Sequence, residues 1–199
     1  MNIFYIPSWY PSYNNPIYGT FIKEQIELLA RQHTRWHLAT SIWGQGDAQH
    51  MLWAKDHFKN LKKIFSRRFQ YQEHQANQHL YSTETLTWTR KLLHGNLYSL
   101  YKVNEKHFEK FLLTHGKVDV IHAQATYPAA LIARRISRKY DVPYVVSIRM
   151  SPFPFAEFLN AQRALKGLIK RPLVEATKLI ATSHSLHKKL EAFGLKNVE

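Results

Sequence analysis

A chain of 199 residues, 45% of them hydrophobic and 21% charged, is long enough to bury a core and too apolar to stay disordered. Its 28 basic and 14 acidic residues leave a formal charge of +14, which favours anionic partners: phosphates, an anionic lipid surface or nucleic acid. The lack of cysteine excludes a disulfide framework and a thiolate metal site, and no signal peptide or run of membrane-spanning length can be read in the sequence.

In chain order, Asn2 to Ile6 predicts a short apolar strand ended by Pro7. A loop rich in turn residues follows (Ser8, Pro11, Ser12, Asn14, Asn15, Pro16 and Gly19). Phe21 to Gln32 has helical spacing, with Thr20 as the expected N-cap. Trp36 to Ile42 reads as a strand closed by Gly44 and Gly46, Leu52 to Phe69 as a helix, and His79 to Thr83 as a short strand. Trp88 to Leu113 predicts a long helix ended by Gly116. From there strands (Val118 to Ala123, Tyr144 to Arg149, Lys178 to Thr182) alternate with helices (Ala129 to Tyr140, Glu157 to Glu175, Ser183 to Phe193). That alternation implies right-handed crossovers and an α/β, Rossmann-like doubly wound parallel sheet. Gly194 to Glu199 stands where a further strand is expected to begin.

Ligands of such sheets bind beyond the C-terminal ends of the strands. Three segments fall there: the loop from Pro7 to Thr20, His122 to Pro128, and Arg149 to Phe155. Gly19, directly before a helix, lets a ligand approach the backbone and the free N–H groups of the helix N-terminus, or simply supplies a positive φ. His122 closes an apolar strand, where an imidazole can bond a sugar hydroxyl, move a proton, or serve as a satisfied structural group. Arg149 at a strand mouth suits phosphate or carboxylate recognition, or an ion pair with a neighbouring acid. Neither GxGxxG nor a P-loop is present. His33 and His37 are four apart but lack the glutamate of HExxH, so no zinc site is expected. No zinc-finger spacing, RNP1-like run or heptad zipper supports nucleic acid.

The opening Pro7-Ser8-Trp9-Tyr10-Pro11, followed by Asn15-Pro16-Ile17-Tyr18-Gly19-Thr20-Phe21-Ile22-Lys23-Glu24-Gln25, resembles the start of family 4 glycosyltransferases. Asp119-Val120-Ile121-His122-Ala123 with Tyr127-Pro128, Pro143 to Arg149, Ala181-Thr182-Ser183 and Gly194 to Val198 continue the resemblance in order, nearest to enzymes of bacterial surface-polysaccharide and teichuronic-acid type. It covers most of the chain outside Asp47 to Gly116. The resemblance implies one half of a GT-B fold: residues 1–199 as the acceptor-side domain, with the C-terminal nucleotide-sugar domain outside this chain. It also implies retaining, metal-independent transfer from a nucleotide sugar to a cell-surface glycan or lipid-linked acceptor, with no cofactor, in the cytoplasm or at the inner membrane face. By the same resemblance Gly19 and Thr20 would meet the donor phosphate, Arg149 and His122 would be catalytic, and Gln124, Tyr127 and Ser151 would shape the acceptor site. Gln124 departs from the second histidine usual in that branch, and Arg149-Met150-Ser151-Pro152 lacks the glycine and acid of its Arg-Gly-Ser-Asp-like motif. Glu191 and Glu199 have the Glu-x7-Glu spacing of the donor domain by coincidence, in the wrong context.

Those departures admit a rival reading, a non-catalytic module that binds glycan or lipid. Lys55, Lys59, Lys62, Lys63, Arg67 and Arg68 line one side of a helical stretch whose other side carries Phe58, Leu61, Phe65 and Phe69. Such a helix from Lys55 to Phe69 can lie on an anionic membrane or pack its apolar face on the sheet.

Overall fold

The computed structural model describes residues 1–12, 15–45, 58, 62, 70–85, 96–149 and 152–199. Its centre is a seven-stranded sheet of order β3-β4-β2-β1-β5-β6-β7. The strands are β1 (Asn2–Pro7), β2 (His37–Ile42), β3 (Gln70–Gln75), β4 (Gln78–Ser82), β5 (Val120–Gln124), β6 (Tyr144–Ile148) and β7 (Lys178–Ala181). All neighbours run parallel except β3 and β4, which pair antiparallel at one edge. The helices are α1 (Thr20–Gln32), α2 (Leu97–His115), α3 (Leu131–Tyr140), α4 (Gly167–Val174) and α5 (His184–Ala192). The fold class read from the sequence therefore holds, with one antiparallel strand added.

β1 shows why a continuous apolar run rather than an alternating one marks a central parallel strand. Ile3, Phe4, Tyr5 and Ile6 are all buried, because both faces of the sheet are covered. Phe4 and Ile6 point into the larger core with Phe108 and Phe111 of α2, Ile121 of β5 and Ile132 and Ile136 of α3. Ile3 and Tyr5 point to the other side, where Ile22, Ile26 and Ala30 of α1 cover them. Phe4 meets Phe108 edge to face, with centroids 5.2 Å apart, the arrangement that aromatic quadrupoles favour.

Four expectations change. The helix expected from Glu157 to Glu175 is broken: a 3-10 turn (Ala156–Phe158) is followed by a loop, and only α4 is α-helical. Asn160 Oδ1 accepts the Ala164 N–H at 2.9 Å, and Arg163 takes φ 56°, so a local side-chain bond replaces the helical ladder. Thr20 is not the cap of α1; Gly19, left-handed at φ 77°, holds that position without a side-chain bond. β3 escaped the sequence reading because Gln70-Tyr71-Gln72-Glu73-His74-Gln75 has no apolar pattern. It is an edge strand whose hairpin is tied down by Asn77, donating to the carbonyls of Ala30 and His33 at 2.9 and 3.2 Å. Finally, α3 starts two residues late, after a π-type turn (Thr126–Ala130). The expected helix start at Trp88, and all of Leu52 to Phe69 except Phe58 and Lys62, lie outside the described residues. Those two are helical and exposed, Phe58 at 87%.

At the end of the chain, Asn197 and Glu199 begin a parallel pairing with β7. Leu179 donates to Asn197 O and Glu199 donates to Leu179 O, each at 2.8 Å. Where a further strand was expected, the described residues form a single parallel bridge, Val198 with Leu179.

Candidate functional site

Strand order reverses between β1 and β5, which makes their C-terminal ends the topological switch point. The two strands are joined there by Ser8 N–H donating to Gln124 O at 3.0 Å. Three loops converge on this crevice. The loop after β1 leads to Gly19 and α1, the loop after β5 begins at Ala125, and β6 delivers Arg149.

Gly19 is required for two separate reasons. Its φ of 77° disfavours any side chain, and a Cβ there would sit 2.6 Å from the carbonyl carbon and oxygen of Trp9. The glycine thus lets the start of α1 fold back onto the Trp9–Tyr10 peptide. Thr20 N–H donates to Ile17 O at 3.3 Å, and Ile22 N–H to Gly19 O at 3.0 Å. The first turn of α1 has no acidic side chain.

His122 lies in β5, buried beside the ring of Tyr5 at a centroid distance of 5.1 Å. Its Nε2 is 2.8 Å from Ser147 Oγ of β6 and 3.3 Å from the carboxamide nitrogen of Gln124. A carboxamide nitrogen only donates, so Nε2 accepts and the ring carries its hydrogen on Nδ1. Burial, with the nearby Arg149 guanidinium, pushes the His122 pKa down to about 3 and keeps the ring neutral. Gln124 is itself 1% exposed, and its side-chain oxygen is buried without a hydrogen-bond partner among the described residues.

Arg149 is half-buried and reaches across to α1. A terminal guanidinium nitrogen donates to Gln25 Oε1, and the guanidinium carbon stands 5.8 Å from the Phe21 ring centroid. Its Nε is buried and has no partner among the described residues, and burial lowers its pKa. The acceptor of Arg149 is thus a neutral carboxamide, and none of the ion pairs among the described residues involves it. The ion-pair alternative for this residue falls away among those residues.

Ala125 carries backbone strain next to these groups, with φ 94° and ψ 164°, a region otherwise kept almost wholly for glycine. Its N–H is held by Ser147 O at 2.9 Å. Tyr127 follows, half-buried, with its ring 6.4 Å from that of Phe158. Of the residues expected at the site, the fold brings His122, Gln124 and Arg149 together and sets Arg149 against the α1 turn that follows Gly19 and Thr20. Ser151 lies outside the described residues. Sequence reasoning passed over Ser147, Gln25 and Ala125. The first two look like ordinary strand and helix positions, and nothing in an alanine signals a positive φ.

Residues 106–183 match the sequence model of the family described as glycosyl transferase 4-like. The matched stretch runs from α2 to the cap of α5 and holds His122, Gln124, Tyr127 and Arg149. Among solved structures, the UDP-GlcNAc 2-epimerase from Methanocaldococcus jannaschii matches with a TM-score of 0.51 at 14% identity. The likeness covers 100% of this chain and 45% of that protein, and at such identity it speaks for the fold alone. A search of curated proteins finds no match. The chain thus has a Rossmann-like α/β fold of the kind that makes up one half of a GT-B architecture. Among its described residues, no helix is long and apolar enough to cross a membrane.

Proposed function

We propose that this domain is the acceptor-side half of a retaining glycosyltransferase. It would work on a nucleotide-sugar donor and a cell-surface glycan or lipid-linked acceptor. The observation that carries the reading is a pair of buried polar atoms of opposite kind at the switch point, neither with a partner among the described residues. Gln124 Oε1 can only accept and Arg149 Nε can only donate. Leaving such atoms bare costs about 1–3 kcal/mol each, so the site favours a ligand that offers both a hydroxyl donor and an anionic oxygen. A sugar hydroxyl supplies the first and a nucleotide phosphate the second.

Each group then has a defined task. The Arg149 guanidinium, held against α1 by Gln25, presents its charge where the N-terminal end of the helix dipole also favours an anion. As the sugar–phosphate bond breaks, charge grows on the departing phosphate, and a preorganised cation there lowers the barrier. His122 stays neutral and holds the Gln124 carboxamide with Ser147 behind it. Its role in this reading is to position, so that Gln124 can receive a hydroxyl of the acceptor or of the transferred sugar. Gly19 and Thr20 supply close backbone at the donor phosphate, Tyr127 borders the acceptor side, and Ser151 is assigned to the acceptor by the sequence resemblance alone. The chemistry asked of this half is charge stabilisation and orientation; no metal is assigned to it.

The test is sugar transfer by the full-length protein, assayed with a panel of nucleotide sugars and membrane or glycan acceptors. Arg149→Ala should lower kcat about 10²–10³-fold, the usual loss of one charge-stabilising donor. Gln124→Leu should act mainly on acceptor KM. Binding of glycan without any transfer would instead favour a non-catalytic module, and unchanged turnover in Arg149→Ala would remove the assignment. Anionic vesicles, added at low and high salt, check the membrane reading of Lys55 to Phe69.

A further inference from the structure

The opposite end of the sheet holds a second constellation. His37 opens β2, His79 lies near the start of β4, and His115 is the last residue of α2. Three elements far apart in sequence each deliver one imidazole, and one ring nitrogen from each lies within 4.8 Å of the other two. His37 Nδ1 and His79 Nε2 are 3.2 Å apart. The His115 ring stands 4.6 Å from that of His37 and 4.1 Å from that of His79, centroid to centroid. His79 is buried and the other two are half-buried. His33, by contrast, stacks flat on Trp36 at 3.8 Å and takes no part.

Metal geometry accounts for this arrangement. Tetrahedral bonds of ~2.0–2.1 Å set two imidazole nitrogens ~3.3 Å apart, close to the separation of His37 and His79. The other nitrogen of His79, Nδ1, is 2.8 Å from the Tyr71 hydroxyl oxygen. An outer partner on one ring nitrogen, leaving the other aimed inward, is how ligating histidines are oriented. A simple hydrogen bond between His37 and His79 would satisfy that pair, yet it gives no reason for a third imidazole to converge on them. The C-terminal end of α2 adds the negative end of its helix dipole beside His115, which favours a cation. Phe111 flanks the group, 5.0 Å from the His115 ring and 6.0 Å from that of His79. Three imidazoles without a carboxylate suit zinc, cobalt, nickel or copper rather than magnesium or calcium.

We propose that His37, His79 and His115 bind one divalent first-row transition-metal ion, zinc by preference, with a fourth position left to water. The ion ties β2, β4 and the end of α2 together. His37 pairs with Asn2 at the start of β1, whose other end reaches the switch point. The two sites are therefore separated by a strand's length of ~17 Å. The metal's role here is structural and separate from sugar transfer.

Equilibrium dialysis against Zn²⁺, the visible spectrum of the Co²⁺ form, and thermal melts with and without Zn²⁺ test this. The intact chain should bind one Zn²⁺, show the intense visible bands of tetrahedral Co²⁺, and melt at a higher temperature with metal than with chelator. Because His79 is buried, the decisive variants are the half-buried positions, His37→Gln and His115→Gln. Each should fold in chelator by circular dichroism and lose at least tenfold in Zn²⁺ affinity together with the thermal shift. Changing a histidine pair on α5 remote from the cluster, exposed His184→Ala with half-buried His187→Ala, should leave both intact. The proposal is overturned if the intact chain binds no Zn²⁺ at micromolar concentration. It is equally overturned if binding survives both glutamine variants, or disappears with the α5 pair instead.

Discussion

Gly19 and Arg149 show how differently single residues can be read. Glycine before a helix is legible as a close approach of backbone, but the sequence leaves open whether it approaches a ligand or the protein itself. The structure shows the protein side of that contact, because a Cβ would strike the Trp9 carbonyl at 2.6 Å. Gly19→Ala should therefore destabilise the fold by roughly 2–4 kcal/mol, from the left-handed φ plus forced repacking. A fall in the urea midpoint at unchanged slope measures it, and an unchanged midpoint would show that the loop after β1 gives way freely. Arg149 was legible as a cation at a strand mouth. That its acceptor is Gln25, and that its Nε is left bare, depends on α1 lying across the crevice, which no local pattern reveals.

Elements were legible where the physics is local. α5 was read from Ser183 onward; in the structure Ser183 is its cap and accepts the Leu186 N–H at 3.2 Å, so Ser183→Ala should cost about 1 kcal/mol in a chemical denaturation curve. β1, β5 and β6 were read from apolar runs, since central parallel strands are buried on both faces. The helix expected over Glu157 to Glu175 failed because helical composition does not say whether Asn160 will close a loop on Ala164. β3 failed for the opposite reason, since a polar edge strand owes its existence to the partner it pairs with. Phe108, buried between β1 and α3, belongs to the packing that holds α2 down, and Phe108→Ala should cost ~3–5 kcal/mol in the same denaturation experiment.

For the whole molecule, buried neutral histidines make stability depend on pH. His107 sits between Ser41 Oγ at 2.7 Å and Thr83 Oγ1 at 2.8 Å, and burial, aided by Lys110, pushes its pKa down to about 3, as for His122. Unfolded, both groups titrate near 6.5. Between those values the unfolded chain binds protons that the folded one refuses. Stability is therefore complete above about pH 6.5 and is lost as pH falls toward 3, by ~1.4 kcal/mol per pH unit for each histidine. Urea unfolding at pH 7 and pH 5 should show the decline, and His107→Gln should flatten it by one histidine's share. A pH-independent midpoint over that range would mean that these rings take up protons in the fold as readily as in the unfolded chain.

The α/β class, the alternation of strands and helices from β5 onward and the family resemblance were determined by the sequence alone, because apolar periodicity, turn residues and short ordered motifs act over a few residues. Only the tertiary structure decided which of those residues meet. It joined His122 to Ser147 across two strands and Arg149 to Gln25 across the crevice. It also drew His37, His79 and His115 to one point at the far end of the sheet. Contacts of that kind are set by strand order and helix packing, through separations of up to 124 positions along the chain for Arg149 and Gln25. No spacing rule reaches that far.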